Sequence, residues 1–168
     1  MSSGRILVAQ QSGIYLLKLT GDVRVTLCTS ITDYMDRIFS GEPPTDVYVD
    51  LLEAEGADST TLGLLARLAV HCIDELGFKA KLLCVRGDIL RVLESMELDE
   101  LFEILGIPDG IRLPLEDITP SADDEPELEE IRRQVLEAHK LLVKLNPRLM
   151  GEFVDLINSL EAESSLHG

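Results

Sequence analysis

The sequence predicts an α/β domain with a partly parallel sheet, followed by a separate helical hairpin. Three observations carry this. Short apolar runs alternate with segments of helical periodicity up to about residue 120. A proline-rich acidic stretch, Leu113 to Pro126, then has the composition of a linker. Beyond it, apolar residues recur only at helical spacing.

The elements read in order as follows. Ile6 to Ala9 and Ile14 to Leu19 are apolar runs separated by Gln-Gln-Ser-Gly, which predicts a β-hairpin. Leu27, Ile31, Tyr34, Met35 and Ile38 fall at helical spacing, and Gly41 stops that helix. Pro43-Pro44 leads into a buried strand over Val47 to Leu52. A long helix is expected from about 60 to 76. Leu62, Leu65, Ala69, Cys72 and Leu76 form its inner stripe, Arg67, His71, Asp74 and Glu75 its solvated stripe, and Gly77 its left-handed cap. Lys81 to Val85 predicts the next strand, Ile89 to Leu93 a helix, Leu101 to Leu105 a short helix, and Ile111 to Leu113 a last edge strand. The boundary near 120 divides the chain into a domain over 1–120 and a linker with hairpin over 121–168.

In the second part, Leu128, Ile131, Val135, Ala138, Leu142 and Leu145 are spaced 3, 4, 3, 4, 3, as in a helix–helix seam. Asn146-Pro147 ends that helix and starts another, with Asn as the cap and Pro at the first position. Leu149, Phe153, Leu156 and Leu160 form the second seam. The hairpin over 126–162 carries more apolar surface than two helices hide from each other. It must therefore cover its own domain or pair with a second copy as a four-helix bundle. The seam spacing favours the second, a homodimer.

Charge narrows the function classes. The chain has 168 residues, 31 Asp and Glu against 15 Lys and Arg, and a formal charge of −16. So acidic a surface repels phosphate backbones and anionic lipid, which argues against nucleic acid and membrane partners. No apolar run approaches the ~20 residues of a membrane span, and the first residues have no signal-peptide pattern, so a cytoplasmic protein is expected. Cys28, Cys72 and Cys84 lack metal-site or disulfide-frame spacing and read as buried thiols. His71, His139 and His167 have no carboxylate or Cys at metal-ligand spacing, so neither a metal nor a cofactor is expected. Nucleotide-cradling glycine motifs are absent.

One segment stands apart. Gly56-Ala57-Asp58-Ser59-Thr60-Thr61-Leu62-Gly63 lies between the most apolar strand and the longest helix. Asp58 or Ser59 there can be a plain N-cap. The same helix start offers free N–H groups and a positive dipole end, which tolerate an added phosphate. Catalysis by Ser59 is not expected. Ala57 and Thr61 replace both glycines of a nucleophile elbow, and His71 lies ~18 Å along the same helix.

Val49-Asp50-Leu51, followed by Asp58-Ser59-Thr60-x-Leu62-Gly63-x-Leu65, resembles the signature of STAS domains of the anti-sigma-factor antagonist type. Gly21-Asp22-Val23 resembles that family's turn after the second strand. Leu93-Glu94-Ser95-Met96 and Leu101-Phe102 resemble its later helix region. Thr61 stands where the family usually has Gly, and Gly56-Ala57 where it has a bulky apolar pair. The resemblance covers roughly residues 5–118 and implies a STAS-like small mixed sheet with packed helices. It further implies a non-enzymatic regulator that binds an anti-sigma factor or switch kinase through Asp58, Ser59, Thr60, Thr61 and Gly63. That kinase would phosphorylate Ser59, with Thr60 as the secondary site, and a PP2C-type phosphatase would reverse it. A constitutive STAS-like scaffold without phosphorylation, and a small α/β nucleotide-binding protein, are the alternatives.

Overall fold

The computed structural model describes residues 2–85, 87–106, 112–121, 123–124 and 126–167. The chain opens with the expected hairpin, β1 (Arg5–Gln11) and β2 (Ile14–Val23), paired antiparallel from Arg5↔Thr20 to Gln11↔Ile14. Its two-residue turn has both residues at positive φ, Ser12 at 53° and Gly13 at 82°. That left-handed turn matches the twist of the strands. Helix α1 (Cys28–Ser40) follows a 3-10 turn at Val25–Leu27 and buries Cys28, Ile31, Tyr34, Met35 and Ile38. The Tyr34 hydroxyl, on a side chain buried to 2%, points its proton between the carbonyls of Ala9 and Leu16, at 3.0 and 3.2 Å.

β3 (Asp46–Asp50) runs parallel to the first half of β2, and β5 (Lys81–Leu83) runs parallel to β3. The second half of β2 is taken by β4 (Ala54–Ala57), also parallel. β4 was not expected from the sequence. Helix α2 (Ser59–His71) continues through a π-helical turn at Cys72–Leu76 to Gly77, whose φ of 78° makes it the left-handed cap. Helix α3 (Asp88–Ser95) leads to β6 (Glu103–Leu105), parallel to β5. The short helix expected over 101–105 is therefore a strand, with only a 3-10 turn at Asp99–Leu101 before it. An open parallel edge on β5 decides in favour of pairing for a run too short to choose by period. The last edge strand is β7 (Glu116–Asp117) against β1. Residues 112 and 113 of the expected strand carry none, and Ile111 lies outside the described residues. The sheet order is β6-β5-β3-β2-β1-β7, with β4 beside the end of β2.

Helices α4 (Leu128–Leu145) and α5 (Met150–His167) form the expected hairpin. Asn146 accepts from the Arg148 N–H at 3.3 Å, and Pro147 opens a 3-10 turn. Asn146 is itself buried to 3% and donates to the Met96 carbonyl at 3.4 Å. Of the two sinks foreseen for the apolar face, the chain's own domain is occupied. α4 packs along α2 and against α1, and Leu142, Val143, Leu149, Phe153 and Ile157 join the main core.

Candidate functional site

The site is the head of α2. β4 is drawn onto the end of β2, which places Asp58 as the last extended residue and the helix N-cap. Asp58 does more than cap. Its Oδ1 accepts from the Thr61 N–H at 2.9 Å and the Thr61 hydroxyl at 2.8 Å, while Oδ2 accepts from the Val25 N–H at 2.7 Å. One carboxylate thus ties the start of α2 to the turn that opens α1. Charge-assisted bonds of this kind are the strong ones in a protein.

The end of β2 needs a glycine where the N-terminal residues cross it. Gly21 has φ +69°, and a Cβ there would fall 2.3 Å from the Ser3 carbonyl oxygen. The N-terminal residues close over this point. Ser2 donates to Glu55 through both its N–H, at 2.8 Å, and its hydroxyl, at 2.7 Å. These bonds hold the Glu55 carboxyl below the usual carboxylate range. Glu53 pairs with Lys18, and Asp22 with Arg24.

Ser59, half-buried, meets a residue 80 positions away. Its Oγ lies 2.7 Å from Nε2 of His139, which is buried to 2%. His139 Nδ1 lies 2.7 Å from the Val135 carbonyl oxygen, which can only accept. The proton is therefore on Nδ1, and in the neutral imidazole the Nε2 lone pair accepts from the Ser59 hydroxyl. Phe153 of α5 packs against the imidazole edge-on, ring centroids 4.7 Å apart. One turn further along α2, a Cβ on Gly63 would stand 2.7 Å from the Ala138 Cβ and 2.9 Å from its carbonyl oxygen. Gly63 is what lets the two helix backbones approach.

The five residues expected to form a partner loop are thus helix cap and helix. Asp58 and Ser59 remain partly accessible. Thr60 is buried to 4% and Thr61 fully, and Gly63 lies under α4. Thr60 is thus less accessible than Ser59. His71 is half-buried rather than solvated, stacked on Phe39 with centroids 4.0 Å apart. The three cysteines are free and buried as expected. Burial pushes the Cys28 thiol up to about 12 and that of Cys72 to about 11.

Sequence reasoning missed His139. It follows Ala138 of the seam, but helical spacing says nothing about which surface the seam meets. Chemically, a Ser–His contact resembles an activated hydroxyl. Here the imidazole is oriented by a backbone carbonyl, not a carboxylate. Two cavities share residues with the neighbourhood, and neither is lined by Ser59 or His139. One of about 320 Å³ opens on Thr32, Gly63, Gln134 and Ala138, the other of about 120 Å³ on Ala57, Leu62, Ile89 and Val92. Among the described residues no cluster of three or more His, Cys, Asp or Glu could hold a metal ion, and no helix is long and apolar enough to cross a membrane.

A small mixed sheet whose third strand leads through β4 into a capped Asp-Ser-Thr helix start is the architecture of a STAS domain. The chain belongs to the STAS domain family, whose pattern it matches over residues 5–111. In three dimensions it is similar to an anti-sigma factor antagonist from Mycobacterium paratuberculosis. That likeness has a TM-score of 0.52 at 17% identity, covering 79% of this chain and 94% of the other. It is also similar to a candidate anti-sigma factor antagonist from Thermotoga maritima, with a TM-score of 0.49 at 16% identity, covering 61% of this chain and 86% of the other. No curated protein sequence matches the chain.

Proposed function

We propose that this protein is an anti-sigma-factor antagonist, a cytoplasmic, non-catalytic module that binds an anti-sigma factor or switch kinase at the head of α2. Phosphorylation of Ser59 turns that binding off. The observation that supports it most is the Asp58-clamped helix start, which presents the half-buried Ser59 hydroxyl at the N-terminal end of a 13-residue helix. The solved Mycobacterium paratuberculosis relative, named as an anti-sigma factor antagonist, supports the fold side of the reading.

The electrostatics follow. The kinase transfers the γ-phosphoryl group of ATP to Oγ, releasing ADP and the hydroxyl proton. The product carries about −1.5 to −2 charges at pH 7. Helix N–H groups offset part of this, so the domain stays folded. A partner surface pressed on the same point would desolvate a dianion beside Asp58, a cost of several kcal/mol. A PP2C-type phosphatase restores the hydroxyl. A homodimer through 126–162 would require the hairpin to leave its own domain, and sedimentation of the full chain tests it.

Peptide mass spectrometry of protein taken from its native cells tests the switch. Phosphate on Ser59 is expected, with Ser59→Ala retaining and Ser59→Asp weakening the anti-sigma partner. Equal affinity of wild type and both variants would sink the switch.

A further inference from the structure

The residues that the proposed switch uses are already covered, and by the chain itself. We propose that the α4–α5 hairpin is a built-in occupant of the switch face, and that a docked hairpin and a phosphoryl group on Ser59 exclude one another. This regulation rests on the reading of Ser59 as the switch residue.

Space is the first argument. Ser59 Oγ is 2.7 Å from His139 Nε2, and His139 is only 2% exposed, with Phe153 packed edge-on against the ring. A phosphorus and three more oxygens on Oγ would occupy the volume of the ring. The helix that carries the ring is held close at the next residue, where Ala138 packs on Gly63. Polarity is the second. With its Nδ1 proton given to Val135, His139 aims a lone pair at Ser59. That lone pair accepts from the Ser59 hydroxyl, whose proton phosphorylation removes. Arg132, Arg133 and Lys140 of α4 are already engaged by Glu129, Glu163, Glu130, Glu137 and Glu161 of the same hairpin.

The contact is also built to open. Thr32 Oγ1 on α1 and Gln134 Oε1 on α4 are buried without hydrogen-bond partners, and both residues line the 320 Å³ cavity between the helices. Undocking would bring water to these two atoms. The chain is tethered to β1 as far as Thr119, whose hydroxyl accepts from the Ile6 N–H. The eight residues 120–127 reach up to roughly 27 Å when extended. A kinase therefore meets Ser59 only in the open fraction of molecules, and phosphorylation is slowed by that fraction. Once transferred, the phosphate holds the hairpin off.

The test uses the full chain carrying phosphoserine at position 59, compared with wild type and with Ala138→Leu, which overfills the Gly63 crossing. Amide hydrogen exchange over 128–145 should speed by about tenfold or more in both, while β1, β2 and β3 keep their protection. His139 should become reactive to diethyl pyrocarbonate in both. A phosphoserine chain with α4 protection and His139 shielding unchanged overturns the exclusion. In native cells Ala138→Leu should carry more phosphate on Ser59 than wild type. Absence of phosphate in both overturns the switch reading itself, a result distinct from the exchange result.

Discussion

α2 has two neighbours of different kinds, and the difference separates permanent structure from a removable contact. Toward the sheet it sets Leu62, Leu65, Leu68 and Ala69, each at most 2% exposed, against strands rich in Val, Ile and Leu. Toward α4 it meets Gly63 against Ala138, a Ser–His hydrogen bond, and a cavity flanked by two unsatisfied polar atoms. The sheet side is apolar and closed, as an interior must be. The α4 side holds buried Gln134 and His139, groups that water can serve equally well when the helices part.

The largest expected effect tests the closed side. Leu68→Ala should lower global stability by about 2–5 kcal/mol, read as a shifted denaturation midpoint for sheet and hairpin together. Asp58→Ala comes next. Loss of the cap and of the Val25 bond should cost about 2–3 kcal/mol and loosen the start of α1 as well as α2, visible in amide exchange at Val25. Gly63→Ala should cost about 1–3 kcal/mol through overpacking, but only in the hairpin, so that melting splits into two steps. One cooperative step with the whole protein shifted would erase the distinction between the two sides. Ser59→Ala should cost about 1 kcal/mol, by removing the donor to His139.

The smallest effect at neutral pH is alkaline. Burial raises the Cys28 thiol from 9.0 to about 12 and Cys72 from 9.0 to about 11, and Cys84 also upward. A raised folded pKa contributes stability that is whole below the unfolded value and is lost as pH climbs toward the folded one. Stability should therefore fall from about pH 9 to 12, and less steeply once Cys28 is replaced by Ala.

Most of the sheet and the position of Asp58-Ser59-Thr60 were legible, because they rest on local signals. The β1–β2 turn needed Ser-Gly, and the α2 start needed an acceptor before a hydroxyl run. β4 was not legible. Ala54-Glu55-Gly56-Ala57 has neither branched nor aromatic residues, and it is a strand because β2 is longer than β3 and leaves an edge to fill. Glu103 to Leu105 was misread for the same reason, since an edge offered by a distant strand is invisible to periodicity. The seam spacing favours a second copy as the cover for the α4 face, whereas α4 docks on the chain's own α2. Its choice of α2 depends on Gly63 and Ala138 fitting in three dimensions, 75 residues apart.

Tyr34 has an optical consequence. The chain has no Trp and three Tyr, at 15, 34 and 48, all on the sheet side of the molecule and none after residue 120. Tyr34, sealed in the core with its hydroxyl between two strand carbonyls, and the buried Tyr15 beside it both change surroundings on unfolding. Emission therefore follows the sheet, whereas far-ultraviolet dichroism, weighted by two 18-residue helices, follows the hairpin as well. A gap between the two curves on heating measures the hairpin leaving while the sheet stays, without a single label attached.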